Sequence, residues 1–115
     1  MQFRAQRRRY AATHPNALNE ILVVDDKPVG SVLVDHSGEV TRIVEISVAL
    51  GHRRRGIAGD VLAEIVQVAD AAHRHIELTV WSGNRAAVAL VENAGFAPVT
   101  DHAGYVTYDR APART

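Results

Sequence analysis

A basic, glycine-bearing segment, Arg53-Arg54-Arg55-Gly56-Ile57-Ala58, lies between an apolar β-branched run ending at Leu50 and a stripe of helical period. A strand, a loop of this kind and a helix start together make a phosphate site. The first amides of a helix have no internal partner, and the helix dipole adds about half a positive charge there. Gly56 lets the backbone approach an anion with no Cβ in the way, and Ala58 is small for the same reason. The three arginines add attraction at longer range. No Gly-Lys-Ser/Thr follows, so this is not a Walker loop, and the three-glycine dinucleotide fingerprint is absent.

Other chemistry is sparser. His73 and His75 flank Arg74 at a helix-to-strand junction, but no carboxylate or third ligand accompanies them. A favourable charge at a helix C-terminus explains them better than a metal site, so no metal is expected. The chain has no cysteine, which rules out disulfides and thiolate zinc sites and suits a cytoplasmic protein. Thirteen basic residues balance 13 acidic ones. That balance argues against a nucleic-acid partner, while the knots Arg7-Arg8-Arg9 and His52-Arg53-Arg54-Arg55 suit a compact anion. The first knot reads equally well as solvated surface. No apolar run approaches the roughly 20 residues of a membrane span, so no membrane partner is expected.

These residues need a scaffold, and 115 residues supply one domain, 1–115, with a core of its own. Phe3 and Tyr10, a heptad apart, give residues 1–19 the look of a helical lead-in. Ile21 to Val24, Val29 to Val34 and Val40 to Leu50 read as three strands joined by the turns Asp25-Asp26-Lys27 and Asp35-His36-Ser37-Gly38. Ile57, Val61, Leu62, Ile65, Val68, Ala69 and Ala72 form one helical stripe. A strand at Ile76 to Trp81 follows, with Trp81 expected to cap the core. Ser82-Gly83-Asn84 opens a second helix that Gly95 ends in a left-handed cap. Phe96 to Val99 and Tyr105 to Tyr108 close a hairpin, and residues 111–115 read as a frayed tail. The expected fold is α/β (α+β): a single-layer, mixed, mostly antiparallel sheet flanked by helices, with a right-handed crossover from the third strand to the fourth.

Two motifs in this order resemble those of the GNAT N-acetyltransferase superfamily. Arg53, Gly56 and Ala58 fill the defined positions of its Gln/Arg-x-x-Gly-x-Gly/Ala coenzyme A motif. Asn84 to Phe96 looks like its Asn-x-x-Ala-x-x-Leu-Tyr-x-x-x-Gly-Phe segment, and Ile46-Ser47-Val48 and Leu78-Thr79-Val80 match its fourth and fifth strands. The resemblance spans roughly Glu20 to Tyr108. It implies acetyl-CoA as cosubstrate, an amine acceptor, and two strands that splay to admit pantetheine. Backbone groups at Ile46, Ser47 and Val48 would bond the pantetheine amides. Amides from Arg54 through Arg55, Gly56, Ile57 and Ala58 to Gly59 would hold the pyrophosphate, with Arg53 and Arg54 beside it and Asn84 at the cofactor. The Val48 amide would stabilise the oxyanion.

The chain also departs from that pattern. The family often has a tyrosine acid where Val91 stands, and some members have a glutamate base where Thr79 stands. An amine with a pKa near 10.4 is neutral only about once in 2,500 molecules at pH 7, so a base matters. A thiolate leaves without protonation, so turnover is expected to be reduced and not abolished. Glu45 is the surviving base candidate, on the strand face opposite Ile46 and Val48. Tyr105 and Tyr108 are further hydroxyl candidates. His52 stands where the family has an aromatic residue, so it reads as packing. The strand and helix that usually precede the family's counterpart of residues 1–12 are missing, which gives an N-terminally shortened form. Its Ile21-Val24 edge would stay open, and a homodimer through that edge is expected. Besides acetyl transfer to a primary amine, a degenerate CoA-binding or regulatory module and, third, a nucleic-acid domain remain as readings.

Overall fold

The computed structural model describes residues 6–11, 17–48 and 56–113. These form strands β1 (Gln6–Ala11), β2 (Ala17–Val24), β3 (Lys27–Asp35) and β4 (Thr41–Val48), helix α1 (Ile57–Ala71), strand β5 (Ile76–Trp81), helix α2 (Arg85–Asn93), and strands β6 (Ala97–His102) and β7 (Tyr105–Arg110). The seven strands make one sheet in the order β1-β2-β3-β4-β5-β7-β6. All pairings are antiparallel except β4 with β5. The mixed, mostly antiparallel sheet flanked by helices is therefore as the patterning predicts.

The sheet has two unlike faces. Cross-strand partners share a face, and the row Val34, Ile43, Leu78 and Tyr108 is buried throughout. The apolar stripe of α1 (Ile57, Val61, Leu62, Ile65 and Ala69) packs on this row, together with Val91 of α2 and Phe96. Gly59 brings the helices together: a Cβ there would sit 3.5 Å from Leu90 Cδ1. The opposite face carries Arg42, Glu45, Thr79, Trp81 and Tyr105, all exposed.

Both helices end in the same hydrogen-bonded device. Arg74 N donates to Ala69 O and His73 N to Asp70 O at the end of α1. Phe96 N donates to Val91 O and Gly95 N to Glu92 O at the end of α2. These are Schellman caps, with His73 (φ 54) and Gly95 (φ 90) in the left-handed position. His73 is thus a cap residue. Arg74 donates to Thr41 Oγ1 and to the carbonyls of His36 and Gly38, and His75 pairs with Asp109 at 3.1 Å.

Three expectations change. The helical lead-in is strand β1 over Gln6–Ala11. Two aromatic residues a heptad apart carry little helical preference, and the backbone donors and acceptors along β2 supply a stronger demand for a strand partner. Consequently β2 is not an edge: Ile21 pairs with Arg8 on one side and Ser31 on the other. The open Ile21-Val24 edge, and the homodimer expected through it, lose their basis. The tail is also held as far as Ala113, whose amide donates to Asp70 Oδ1 at 3.0 Å. That carboxylate receives Arg110 at 2.7 Å, and Arg110 also donates to Ala94 O, so one ion pair ties α1, α2 and the end of β7 together.

Candidate functional site

The site begins with a fault in the sheet. Leu33 pairs with Glu45 but the next residue, Val34, pairs with Ile43, so Val44 is an extra residue on β4. A bulge of this kind bends its strand and increases the local twist. β4 and β5 pair only through Thr41 with Ile76, Arg42 with Glu77 and Ile43 with Leu78. Pairing stops at the bulge, although β4 runs on to Val48 and β5 to Trp81. The strands diverge there and leave a cleft of about 770 Å³, within the usual range for a ligand pocket.

The walls come from both sheet faces because the cleft is a gap in the sheet itself. Ile46 and Ser47 line the β4 side, Leu78 to Trp81 the β5 side, and Gly56 to Gly59 with Asn84 the helix starts. Gly56 is the N-cap of α1, with φ 75 and ψ 10 and no side-chain capping bond. Asp60 N closes the first turn onto Gly56 O at 2.9 Å. The amides of Ile57, Ala58 and Gly59 precede that turn and have no intrahelical acceptor. No side chain among the described residues caps them, and they border the cleft, where an external acceptor can reach them. A Cβ at Gly56 would meet nothing within 4 Å among the described residues, so there its glycine serves conformation and not space.

The expected site residues divide between those the structure describes and those outside the described residues. Ile46, Ser47, Gly56, Ile57, Ala58, Gly59 and Asn84 all border the cleft. Val48 ends β4, opposite Gly30. Arg53, Arg54 and Arg55, with His52, lie outside the described residues. Asn84 also serves the fold, since its Oδ1 accepts from Ala87 N at 3.2 Å and caps α2. Its amide nitrogen has no hydrogen-bond acceptor among the described residues. Glu45 borders the cleft from the face opposite Ile46.

The tyrosines separate. Tyr108 is 4% exposed within the core and does not border the cleft, so its hydroxyl is not offered to a reacting atom there. Alternation explains this, since Tyr108 pairs with buried Leu78. Tyr105 lies on the open face opposite Trp81. Thr79 borders the cleft and its Oγ1 lies 3.0 Å from Thr107 Oγ1. Val91 is buried and closes the inner wall.

Trp81 departs from its expected place. It is 56% exposed and borders the cleft, so it does not cap the core. Its three-residue offset from buried Leu78 places it on the other face, a signal that strand parity alone carries. The Val44 bulge left no such signal. Among the described residues no group of three metal-ligating side chains occurs, and no helix is long and apolar enough to cross a membrane.

Comparison with known proteins agrees with this geometry. A profile described as "Acetyltransferase (GNAT) family" matches residues 2–96. No curated protein matches by sequence. Among solved structures, an acetyltransferase from Thermus thermophilus superposes with a TM-score of 0.73 at 21% identity, over 86% of this chain and 66% of that one. The ribosomal-protein-S18-alanine N-acetyltransferase of Escherichia coli gives 0.76 at 19%, over 87% and 72%. The PaiA N-acetyltransferase of Thermoplasma acidophilum, in complex with coenzyme A, gives 0.74 at 11%, over 88% and 64%. The chain thus spans about two thirds of the length of these neighbours.

Proposed function

The chain belongs to the acetyltransferase (GNAT) family, and we propose that it binds acetyl-CoA between β4 and β5 and moves the acetyl group to a primary amine. The observation that carries this reading is the divergence of β4 and β5 beyond Ile43 and Leu78, beside a helix start with no side-chain cap among the described residues. A gap between two strands leaves main-chain donors and acceptors on β4 without strand partners, and an amide-bearing chain such as pantetheine can take those places. The amides of Ile57, Ala58 and Gly59 suit a pyrophosphate at one end of that path. The Thermoplasma acidophilum neighbour, whose structure contains coenzyme A, supports the cosubstrate.

In the proposed reaction the amine attacks the thioester carbonyl directly in a ternary complex. The C–N bond forms, a tetrahedral oxyanion develops against the β4 amides at Ile46 to Val48, and the C–S bond breaks, while the second proton of the acylated nitrogen passes to water. The incoming ammonium first loses its proton to Glu45, directly or through water. The outer wall bordered by Glu45 has room for this transfer, and a positioned base contributes about 10² to 10⁴ in rate. No chain acid lies at Val91, so the CoA thiolate leaves unprotonated, at a pKa near 8.5. Arg53 and Arg54 supply charge near the phosphates. We place the reaction in the cytoplasm, where acetyl-CoA is made and the absence of cysteine is no disadvantage.

Buried Val91, and Thr79 already engaged with Thr107, favour a second reading: a CoA-binding module with little turnover. Two measurements divide them. A thermal-shift series with CoA, acetyl-CoA and longer acyl-CoAs is expected to raise the melting temperature. Release of free thiol from acetyl-CoA with a panel of primary amines is expected above the hydrolysis background. Stabilisation without amine-dependent thiol release selects the module; no stabilisation by any CoA species removes both.

A further inference from the structure

We propose that Trp81 and Tyr105 form an acceptor-selecting surface on the open face of the sheet, fitted to a primary amine that carries a flat aromatic group. This deepens the transfer reading and rests on it for the reaction, though not for binding of the amine.

Strand register places the two rings. Leu78 and Tyr108 pair across β5 and β7 and are buried under the helices. One residue on, Thr79 and Thr107 touch through their hydroxyls on the opposite face. Two further on, Trp81 pairs with Tyr105 on that same face. The rings are 56% and 57% exposed, an adjacent aromatic pair in water. An exposed tryptophan and tyrosine offer large apolar area with few rotatable bonds, which is what a binding surface uses.

The indole is backed by main chain. A Cβ at Gly83 would run into its benzo ring at Cζ2, Cζ3 and Cη2, and one at Gly104 would lie 3.9 Å from Cδ1 and Nε1. Ser82 N bonds to Gly104 O at 2.8 Å and Asn84 N to Trp81 O at 2.9 Å, fixing both glycine turns under the ring. Two turns without side chains let the indole lie down beside the cleft that it borders.

Charge decides what approaches. Glu45 borders the same cleft and, by register with Leu33, projects on the same face. Further along, Arg42 pairs with Glu77 at 3.2 Å and His75 with Asp109, so those charges are matched among the described residues. Glu45 is left as the charge at the open end, with no ion pair among the described residues. An ammonium is drawn to Glu45, and an aryl group attached to it meets the aromatic pair. The phosphate-facing amides of α1 lie on the helix side, so the nucleotide end of the cosubstrate is not expected to compete for the rings.

Trp81 is the only tryptophan in the sequence, so its fluorescence reports on this surface directly. The experiment titrates the CoA-saturated protein with 2-phenylethylamine and, separately, with hexylamine, and repeats both with Tyr105→Ala. Phenylethylamine is expected to change the emission saturably and to bind about threefold to tenfold more tightly than hexylamine. Tyr105→Ala is expected to erase that preference while leaving CoA affinity unchanged. Equal affinity for the two amines, an unsaturable change, or a loss of CoA affinity in Tyr105→Ala overturns the proposal; the last result would put the nucleotide base on the rings. Thiol release measured alongside separates the two claims. Selective binding without thiol release leaves the surface standing and removes transfer, whereas thiol release without selectivity removes the surface alone.

Discussion

Replacing Gly56 by valine perturbs the proposed phosphate site without touching a packing contact. Gly56 sits at φ 75 and ψ 10, and an added Cβ would meet nothing within 4 Å among the described residues. The penalty is therefore conformational. A non-glycine residue held in the left-handed region costs about 1–2 kcal/mol, and a β-branched one stands at the upper end. For a domain of this size that lowers the melting temperature by roughly 4 °C per kcal/mol. Leaving the left-handed region instead turns the peptide that enters α1 and misdirects its first amides. At CoA about 100-fold above its dissociation constant, binding adds about 2.7 kcal/mol to wild-type stability. That is a rise of roughly 11 °C by the same conversion. Differential scanning fluorimetry of both proteins, with and without CoA, is expected to show a modest fall in the valine variant's unliganded midpoint and loss of most of its CoA-induced rise. A variant that melts lower yet gains the full wild-type increment from CoA would refute the assignment of Gly56 to the pyrophosphate site.

Further outcomes follow from the same geometry. Glu45→Gln is expected to lower kcat/KM for amines by about 10² to 10⁴ with the acetyl-CoA thermal shift unchanged, and unaltered kinetics would exclude Glu45 as the base. Asp70 is held below its ordinary pKa of 3.8, first by the hydrogen bond from Arg110 and then by that from Ala113. Because the folded pKa is the lower one, this stabilisation is complete above the ordinary value and disappears as pH falls through the folded value. Asp70→Asn should thus lower the neutral-pH melting temperature and flatten its decline below about pH 4; parallel curves for the two proteins would count against it. Ala103, at φ 54 in the turn before Gly104, occupies a left-handed position that asparagine tolerates better. Ala103→Asn is expected to stabilise by about 0.5–1 kcal/mol in denaturant unfolding, and no gain would mean that the turn relaxes.

What could be read from the sequence was whatever depends on neighbours along the chain. The helix from Ile57, the strand from Ile76 to Trp81, the Asn84 cap and the Gly95 stop all announce themselves within a few residues. The glycine-led start of α1 was legible for the same reason, since Gly56 and Ala58 lie within it. What escaped depends on distant partners. Gln6–Ala11 is a strand because β2 offers it a pairing edge, a fact that the arginine-rich segment does not encode by itself. The Val44 bulge, which ends the β4-β5 pairing, arises from register against β3 and has no local marker. Tyr108 and Trp81 needed only strand parity: an even offset from Leu78 within β5 or across its pairing gives burial, an odd one exposure. Family resemblance pointed to the β4-β5 region for the proposed cofactor path, whereas the pairing of Trp81 with Tyr105 on the open face came from the strand register.

Acetyl-CoA in the gap between β4 and β5, with its pyrophosphate on α1, is the placement on which the proposed chemistry depends. An amide-resolved ¹H–¹⁵N NMR titration with acetyl-CoA tests it directly. The largest shifts and the strongest new exchange protection are expected at Ile46 and Ser47 and at Ile57, Ala58 and Gly59, with the β1-β2 and β6-β7 pairs little changed. Saturable binding whose shifts instead concentrate on those outer strands, or that spares the α1 amides, would contradict this placement.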